Sequence, residues 1–237
     1  MMSQVVIVAL GGSLMYDGDI IDEEWINAAS TIVAQSAATG TKIGIVIGGG
    51  YRARKNIATA RESGTTNTFD LDLVGIEATR FNAATFATAL KTTGASVNET
   101  IPTTTQSAAD TFATNSIVVM GGTVPGHTTD AVSINFAVDS GASRCTIATN
   151  VDFVYDKAPQ TNPDAVPFEQ MTLAELQAIV GPPEHRGAGP NVVIDPIGVQ
   201  VAIEHSIELA LLNGKKLDIL ESCLAGEDFR GTKIEVK

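Results

Sequence analysis

Apolar residues in this chain come in short unbroken runs that close on glycine or polar residues: Val5–Leu10, Lys42–Ile47, 116–120 and Arg144–Thr149. Runs this short, rich in Val and Ile and lacking strict alternation, predict strands buried on both faces. Between and after them, apolar residues recur at helical spacing over 23–36, 52–62, 71–92, 129–139, 172–180 and 195–205. The capping box Thr172-Leu-Ala-Glu175 and the Asp195-Pro196 start mark the beginnings of the last two. Asp72 and Asp195 fall at the starts of predicted helices, where capping is the default role of an aspartate. Strands alternating with helices predict an α/β fold with a mostly parallel sheet, helices on both faces and ligands at the carboxyl ends of the strands. The Pro- and Gly-rich stretches 159–167 and 181–190 are too short for domain linkers and read as mobile surface loops.

Composition narrows the partners. Lys and Arg number 15 against 27 Asp and Glu, a formal charge of −12, which argues against a polyanion such as nucleic acid. Local cations must therefore neutralise any bound phosphate. Charged residues are only 18% of the chain, below the usual quarter or so, so the acidity is weak support for a high-salt protein. Cys145 and Cys223 are too few for a disulfide framework and lack a CxxC spacing, so they are expected as reduced packing residues. No apolar run approaches the ~18 residues of a membrane helix, and the start MMSQVV carries no basic leader, so a soluble, cytoplasmic protein is expected.

The chemistry is concentrated in three glycine loops at predicted strand ends. The first is Gly11-Gly12-Ser13; the second is Gly48-Gly49-Gly50, followed by Tyr51-Arg52-Ala53-Arg54-Lys55. The third, GGTVPGHTTDAV at 121–132, puts backbone donors, Thr128 or Thr129 as a helix cap, and Asp130 at one strand-to-helix junction. Glycines let the backbone approach a ligand closely, and helix-terminal N–H groups favour an anion. Neither GxGxxG with its acidic partner nor GxxxxGK[ST] is present, so the common dinucleotide and P-loop readings fail. Arg54 is the cation expected to aim inward from the first helical turn, with Arg52 and Lys55 toward water. Asp130 suits orientation of a phosphate or of magnesium-bound water. His127, His185 and His205 have no paired-ligand spacing, so no transition-metal site is expected, and no Ser-His-Asp or Cys-His arrangement can be assembled.

Taken in order, GGS, GGGxxAR, DLVGIEATRFNA from Asp72, GGTxPGHTTDAV, TNVDFVY from Thr149 and VIDP before the last helix resemble the archaeal-type uridylate kinases of the amino acid kinase superfamily. The resemblance covers essentially the whole chain. It implies an αβα sandwich in one domain over 1–237, with an acceptor-binding part near 1–140 and an ATP-binding part near 141–237. It also implies a homohexamer and Mg2+-dependent transfer of the ATP γ-phosphoryl to UMP, giving UDP in pyrimidine nucleotide synthesis. Under it, Gly12, Ser13, Gly50, Arg54, Thr149, Asn150 and Tyr155 match the ATP side. Gly49, Asp72, Thr123, Val124, Pro125, Gly126, His127, Thr128 and Thr129 match the UMP side, with Asp72 holding the ribose hydroxyls. Arg54, Asp130 and Asp195 match the groups that organise catalysis.

The chain departs from the superfamily pattern at four positions. Ala9 stands where a lysine commonly precedes the GG pair, Phe153 where DGVY has glycine, Ala158 where an aspartate precedes Pro159, and Gln200 where a lysine follows IDPxxx. Loss of one preorganised charge donor typically costs about 3 kcal/mol of transition-state stabilisation. The alternatives to a UMP kinase are another small-acid or phosphate kinase of the same superfamily, or a catalytically weak nucleotide-binding or oxyanion-storage protein of the same fold. UMP binding without ATP binding or turnover would mark the last.

Overall fold

The structure is a computed structural model that describes residues 4–184 and 193–237. Its first strand, β1 (Val5–Leu10), leads through a 3-10 turn (Gly12–Met15) and a small hairpin, β2 (Tyr16–Asp17) and β3 (Ile20–Ile21), into α1 (Glu23–Ala38). Then follow β4 (Lys42–Ile47), α2 (Gly50–Glu62), α3 (Thr68–Thr92), α4 (Thr105–Thr111), β5 (Ile117–Met120), α5 (Thr129–Ser140) and β6 (Arg144–Thr149). The remainder comprises β7 (Val154–Tyr155), β8 (Pro167–Phe168), β9 (Gln170–Thr172), α6 (Leu173–Val180), α7 (Pro196–His205), β10 (Glu208–Asn213), α8 (Leu217–Leu224) and β11 (Gly231–Glu235).

Seven strands form the central sheet in the order β5-β4-β1-β6-β10-β11-β9. The first five are mutually parallel, β11 runs antiparallel to β10, and β9 pairs parallel with β11. Both faces are covered, and the strands' two-residue period divides the core. Ile7 and Ala9 join Val118, Cys145 and Leu211 under α4–α7. Val8 and Leu10 join Ile45, Ile47 and Leu212 under α1, α3 and α8, with Trp25 and Phe86. Each aliphatic side chain fully buried in this way contributes about 1.5–3 kcal/mol. The expected αβα sandwich with a mostly parallel sheet is thus observed.

Chain order sets the place of the site. From β1 the sheet grows one way to β4 and β5, then returns to the other side of β1 with β6 and β10. The order reverses at β1, and a crevice opens there beyond the carboxyl ends of the strands.

Three expectations need correction. The long helix α3 begins at Thr68, capped by the Asn67 side chain, so Asp72 lies inside the helix and is not its cap. Arg52 does not face water: it is half-buried, with its guanidinium 3.5 Å from the Phe81 ring centroid. Strands β9, β10 and β11, the short pairs β2–β3 and β7–β8, and helices α4 and α8 were not anticipated. β10 follows α7 without glycine or proline because Ser206 takes the left-handed conformation, φ 56°, that usually calls for glycine. Asp195 does cap α7, accepting from the amides of Ile197 (2.7 Å) and Gly198 (3.3 Å). Both cysteines are free and buried, and burial pushes the Cys145 thiol up to about 12, as suits a packing residue. His185 and most of the run 181–190 lie outside the described residues.

Candidate functional site: a glycine-lined crevice

Two of the three glycine loops meet backbone to backbone. A Cβ on Gly12 would lie 2.3 Å from both the Gly48 carbonyl oxygen and the Gly50 nitrogen, and one on Gly50, at φ 57°, would lie 2.3 Å from the Gly12 oxygen. Only glycine permits that approach. The junction is tied on both sides: Gly48 N–H donates to Leu10 O (2.9 Å) and Gly11 N–H to Ala148 O (2.8 Å). Gly214 N–H in turn donates to Thr149 O (2.8 Å), which brings the end of β10 into the same floor.

Helix α2 starts at Gly50 without a side-chain cap, so its first amides face the junction. Arg54 lies one turn beyond Gly50, on the face that meets Gly12, and is exposed. Gly49 fits against the methyl of Ala53 in the same turn.

On the β4–β5 side, the loop 121–128 is braced by α3. Asp72 Oδ2 accepts from Gly126 N–H at 2.8 Å, and Thr79 Oγ1 accepts from Gly122 N–H at 2.6 Å. Asn82 donates to Gly48 O (2.8 Å) and Gly49 O (3.1 Å) and accepts from the Tyr16 hydroxyl (2.8 Å). Thr123, Pro125, Gly126 and Thr129 are half-buried, whereas Val124, His127 and Thr128 are exposed. Thr128 is the cap of α5, its Oγ1 3.4 Å from the Ala131 amide. The bracing residues Thr79, Arg80 and Asn82 were missed in the sequence. They lie within the DLVGIEATRFNA segment, and the signal for them was polar residues on the buried face of a long helix.

The N-termini of α5 and α7 abut: a Cβ on Gly198 would stand 3.1 Å from Ala131 Cα. This brings Asp130, in the first turn of α5, beside the buried Asp195. Burial, reinforced by the Asp195 charge, pushes the Asp130 carboxyl up to about 7. Two carboxylates side by side with a shared desolvation cost favour either a proton or a cation between them.

On the β6–β10 side, Thr149 is half-buried, Asn150 exposed, and Tyr155 half-buried edge-on to Phe153. Asp152 there collects Lys216 Nζ (2.8 Å), Asn213 Nδ2 (2.8 Å) and Arg230 Nη2 (3.3 Å), and the Lys216 ammonium, then Asn213 and Arg230, hold its carboxyl below the usual range. The four departing positions are accommodated without strain. Ala9 is buried in β1 under α5, Phe153 packs under Arg230, Ala158 O caps a turn by accepting from Asn162, and Gln200 bonds Glu204 along α7. Lys157 is engaged with Asp164 at 2.6 Å.

A doubly covered, mainly parallel sheet with glycine loops and helix N-termini converging at its switch point defines an α/β protein with a crevice suited to an anion. The profile of the amino acid kinase family matches residues 4–213, and the chain belongs to that family. It is 38% identical over 223 residues to a uridylate kinase of Methanococcus vannielii, covering 94% of this chain and 96% of the relative. It is also 36% identical over 237 residues to one of Thermoplasma volcanium, covering 100% of both. The crystal structure of uridylate kinase from Archaeoglobus fulgidus superposes with a TM-score of 0.84 at 31% identity, over 97% of this chain and 99% of that one.

Proposed function

We propose that this protein is a UMP kinase, transferring the γ-phosphoryl of ATP to UMP to give UDP in pyrimidine nucleotide synthesis. The observation that carries the reading is the division of the crevice at the Gly12–Gly48–Gly50 junction: a loop braced by Asp72 on one side, the ends of β6 and β10 on the other. The relatives matched over nearly the full length are uridylate kinases.

In this reading the acceptor part of the single domain, near 1–140, holds UMP through Gly49, Asp72 and the stretch Thr123, Val124, Pro125, Gly126, His127, Thr128 and Thr129. The part near 141–237 holds ATP through Thr149, Asn150 and Tyr155, with Gly12, Ser13, Gly50 and Arg54 around its phosphates. Asp72 offers acceptors to the ribose hydroxyls. An oxygen of the UMP phosphate attacks the γ-phosphorus in line, the bond to the ADP oxygen breaks, and no protein nucleophile takes part. Amides of Gly12 and Gly50 and the Arg54 guanidinium neutralise the charge on the transferring group, while the junction fixes donor and acceptor in one line. The Asp130–Asp195 pair fits Mg2+, since a hard cation held by one or two carboxylates and its own waters relieves their mutual repulsion. The ion, when bound, supplies charge neutralisation between the phosphates.

Among the described residues no helix is long and apolar enough to cross a membrane, and the reading places the protein in the cytoplasm. It further assembles with copies of itself, as a hexamer. The exposed apolar side chains of Phe69, Leu73 and Phe81 on α3 support a self-contact, Phe69 and Leu73 lying at i, i+4 spacing on a helix whose other face is buried.

Steady-state assays with UMP, CMP and isopentenyl phosphate test the assignment: UMP is expected to be turned over best, and equal or better turnover of another acceptor sinks it. Asp72→Asn is expected to raise the KM for UMP by about tenfold, the cost of a charge-assisted hydrogen bond, and to leave that for ATP unchanged. Equal changes in both constants would remove Asp72 from the acceptor side.

A further inference from the structure

Arg80 lies on α3 behind the 121–128 loop. Its half-buried guanidinium donates from Nε to Gly122 O at 3.1 Å and from Nη2 to Thr123 O at 3.0 Å. It thus clamps two consecutive carbonyls with one rigid fork, a geometry that lysine cannot reproduce. Both peptide bonds are trans, which sets each N–H opposite to its carbonyl. With the carbonyls turned to Arg80, the N–H groups of Thr123 and Val124 point away from it. Among the described residues neither amide has a protein acceptor, although their neighbour Gly122 N–H is satisfied by Thr79 and Gly126 N–H by Asp72. The cation behind and the amides in front form a polarised chain that strengthens the two outward donors.

We propose that Arg80 is a positioning residue that sets the base preference of the acceptor site, by aiming the Thr123 and Val124 amides at a carbonyl oxygen of the nucleobase. This rests on the reading of the loop as the UMP site. In that reading the phosphate lies toward the N-terminus of α5 and the ribose at Asp72, beside Gly126. The loop stretch two and three residues before Gly126 then meets the base edge farthest from the ribose, which carries the 4-position. Uracil presents an oxygen acceptor there and cytosine an amino donor. Two fixed N–H donors bind the first and oppose the second, and a buried polar mismatch is what gives a site strong discrimination.

The test is the ratio of kcat/KM for UMP to that for CMP, together with the KM for ATP, in the parent protein, Arg80→Met and Arg80→Lys. The methionine variant is expected to lose about tenfold or more in that ratio, mainly through the KM for UMP, with the KM for ATP held within about twofold. The lysine variant, which keeps the stem and charge but reaches only one carbonyl, is expected to fall between, and it carries the test if the methionine variant does not fold. A ratio unchanged in both variants, with UMP and CMP losing equally, assigns Arg80 to scaffolding alone and overturns the proposal. A parent protein that shows no preference for UMP overturns the UMP-kinase reading instead, and the proposal with it.

Discussion

Asp130→Asn is expected to melt about 5 °C above the parent protein at pH 8 while turning UMP over about a hundredfold more slowly. The two effects have one cause. Burial, with the neighbouring Asp195 charge, raises the Asp130 carboxyl from its ordinary 3.8 to about 7, so the folded protein binds that proton more tightly than the unfolded chain does. The stability this carboxyl contributes is fully present below about pH 3.8 and is lost as pH rises through about 7. Asparagine has the same shape and no charge to desolvate. Its advantage therefore grows from about pH 4, levels off above about pH 7, and amounts to about 2 kcal/mol for a half-buried group. Thermal melts of both proteins at pH 4.5 and pH 8 check this, and an equal gap at the two pH values would remove the electrostatic account. The loss of turnover follows from the proposed role of the Asp130–Asp195 pair in holding the ion that screens the phosphates.

Gly12→Ala has the largest expected effect on both fold and activity. The added methyl would meet the backbone of Gly48 and Gly50 at 2.3–2.4 Å, and backbone tied by Asn82 and by Leu10 has no side chain to swing away. A cost of at least about 3 kcal/mol is expected, with ATP-dependent turnover reduced below about one per cent because the loops on either side of the junction part. Gly18→Ala is the control. Gly18 also has a restrictive conformation, φ 62°, but a Cβ there meets nothing within 4 Å, in the turn of the β2–β3 hairpin. It is expected to cost about 1 kcal/mol with turnover unchanged. Similar activity losses in the two variants would show that backbone strain, rather than the junction, was responsible.

The fold was legible where apolar runs met glycine punctuation. β1, β4 and β6 have the bounds expected from pattern alone, and β5 begins one residue later. Most elements that escaped lack such marks at their start, although β10 closes on Gly214 and β11 opens on Gly231. α4 is only seven residues long, α8 begins at Lys216 without a side-chain cap, and β10 follows a serine that performs a glycine's turn. Of the candidate site, the glycine loops and Asp195 were legible because glycine and capping chemistry act on the local backbone. Asp72 was legible as a residue of interest but misread as a cap, since its Gly126 partner lies 54 positions away. Arg52 was misread for the same reason: the Phe81 ring that receives it belongs to the next helix.

By itself the sequence determined the α/β class, the parallel strands buried on both faces, and which loops could approach a ligand. These follow from two-residue and 3.6-residue periodicities and from the conformational freedom of glycine, all of which act over a few residues. Only the tertiary structure decided which loops touch, that Asp130 sits beside Asp195, and that Arg80 clamps the loop carrying Thr123 and Val124. Those are contacts between segments at least 36 residues apart. They depend on the order of strands in the sheet, and no local preference in the chain encodes it.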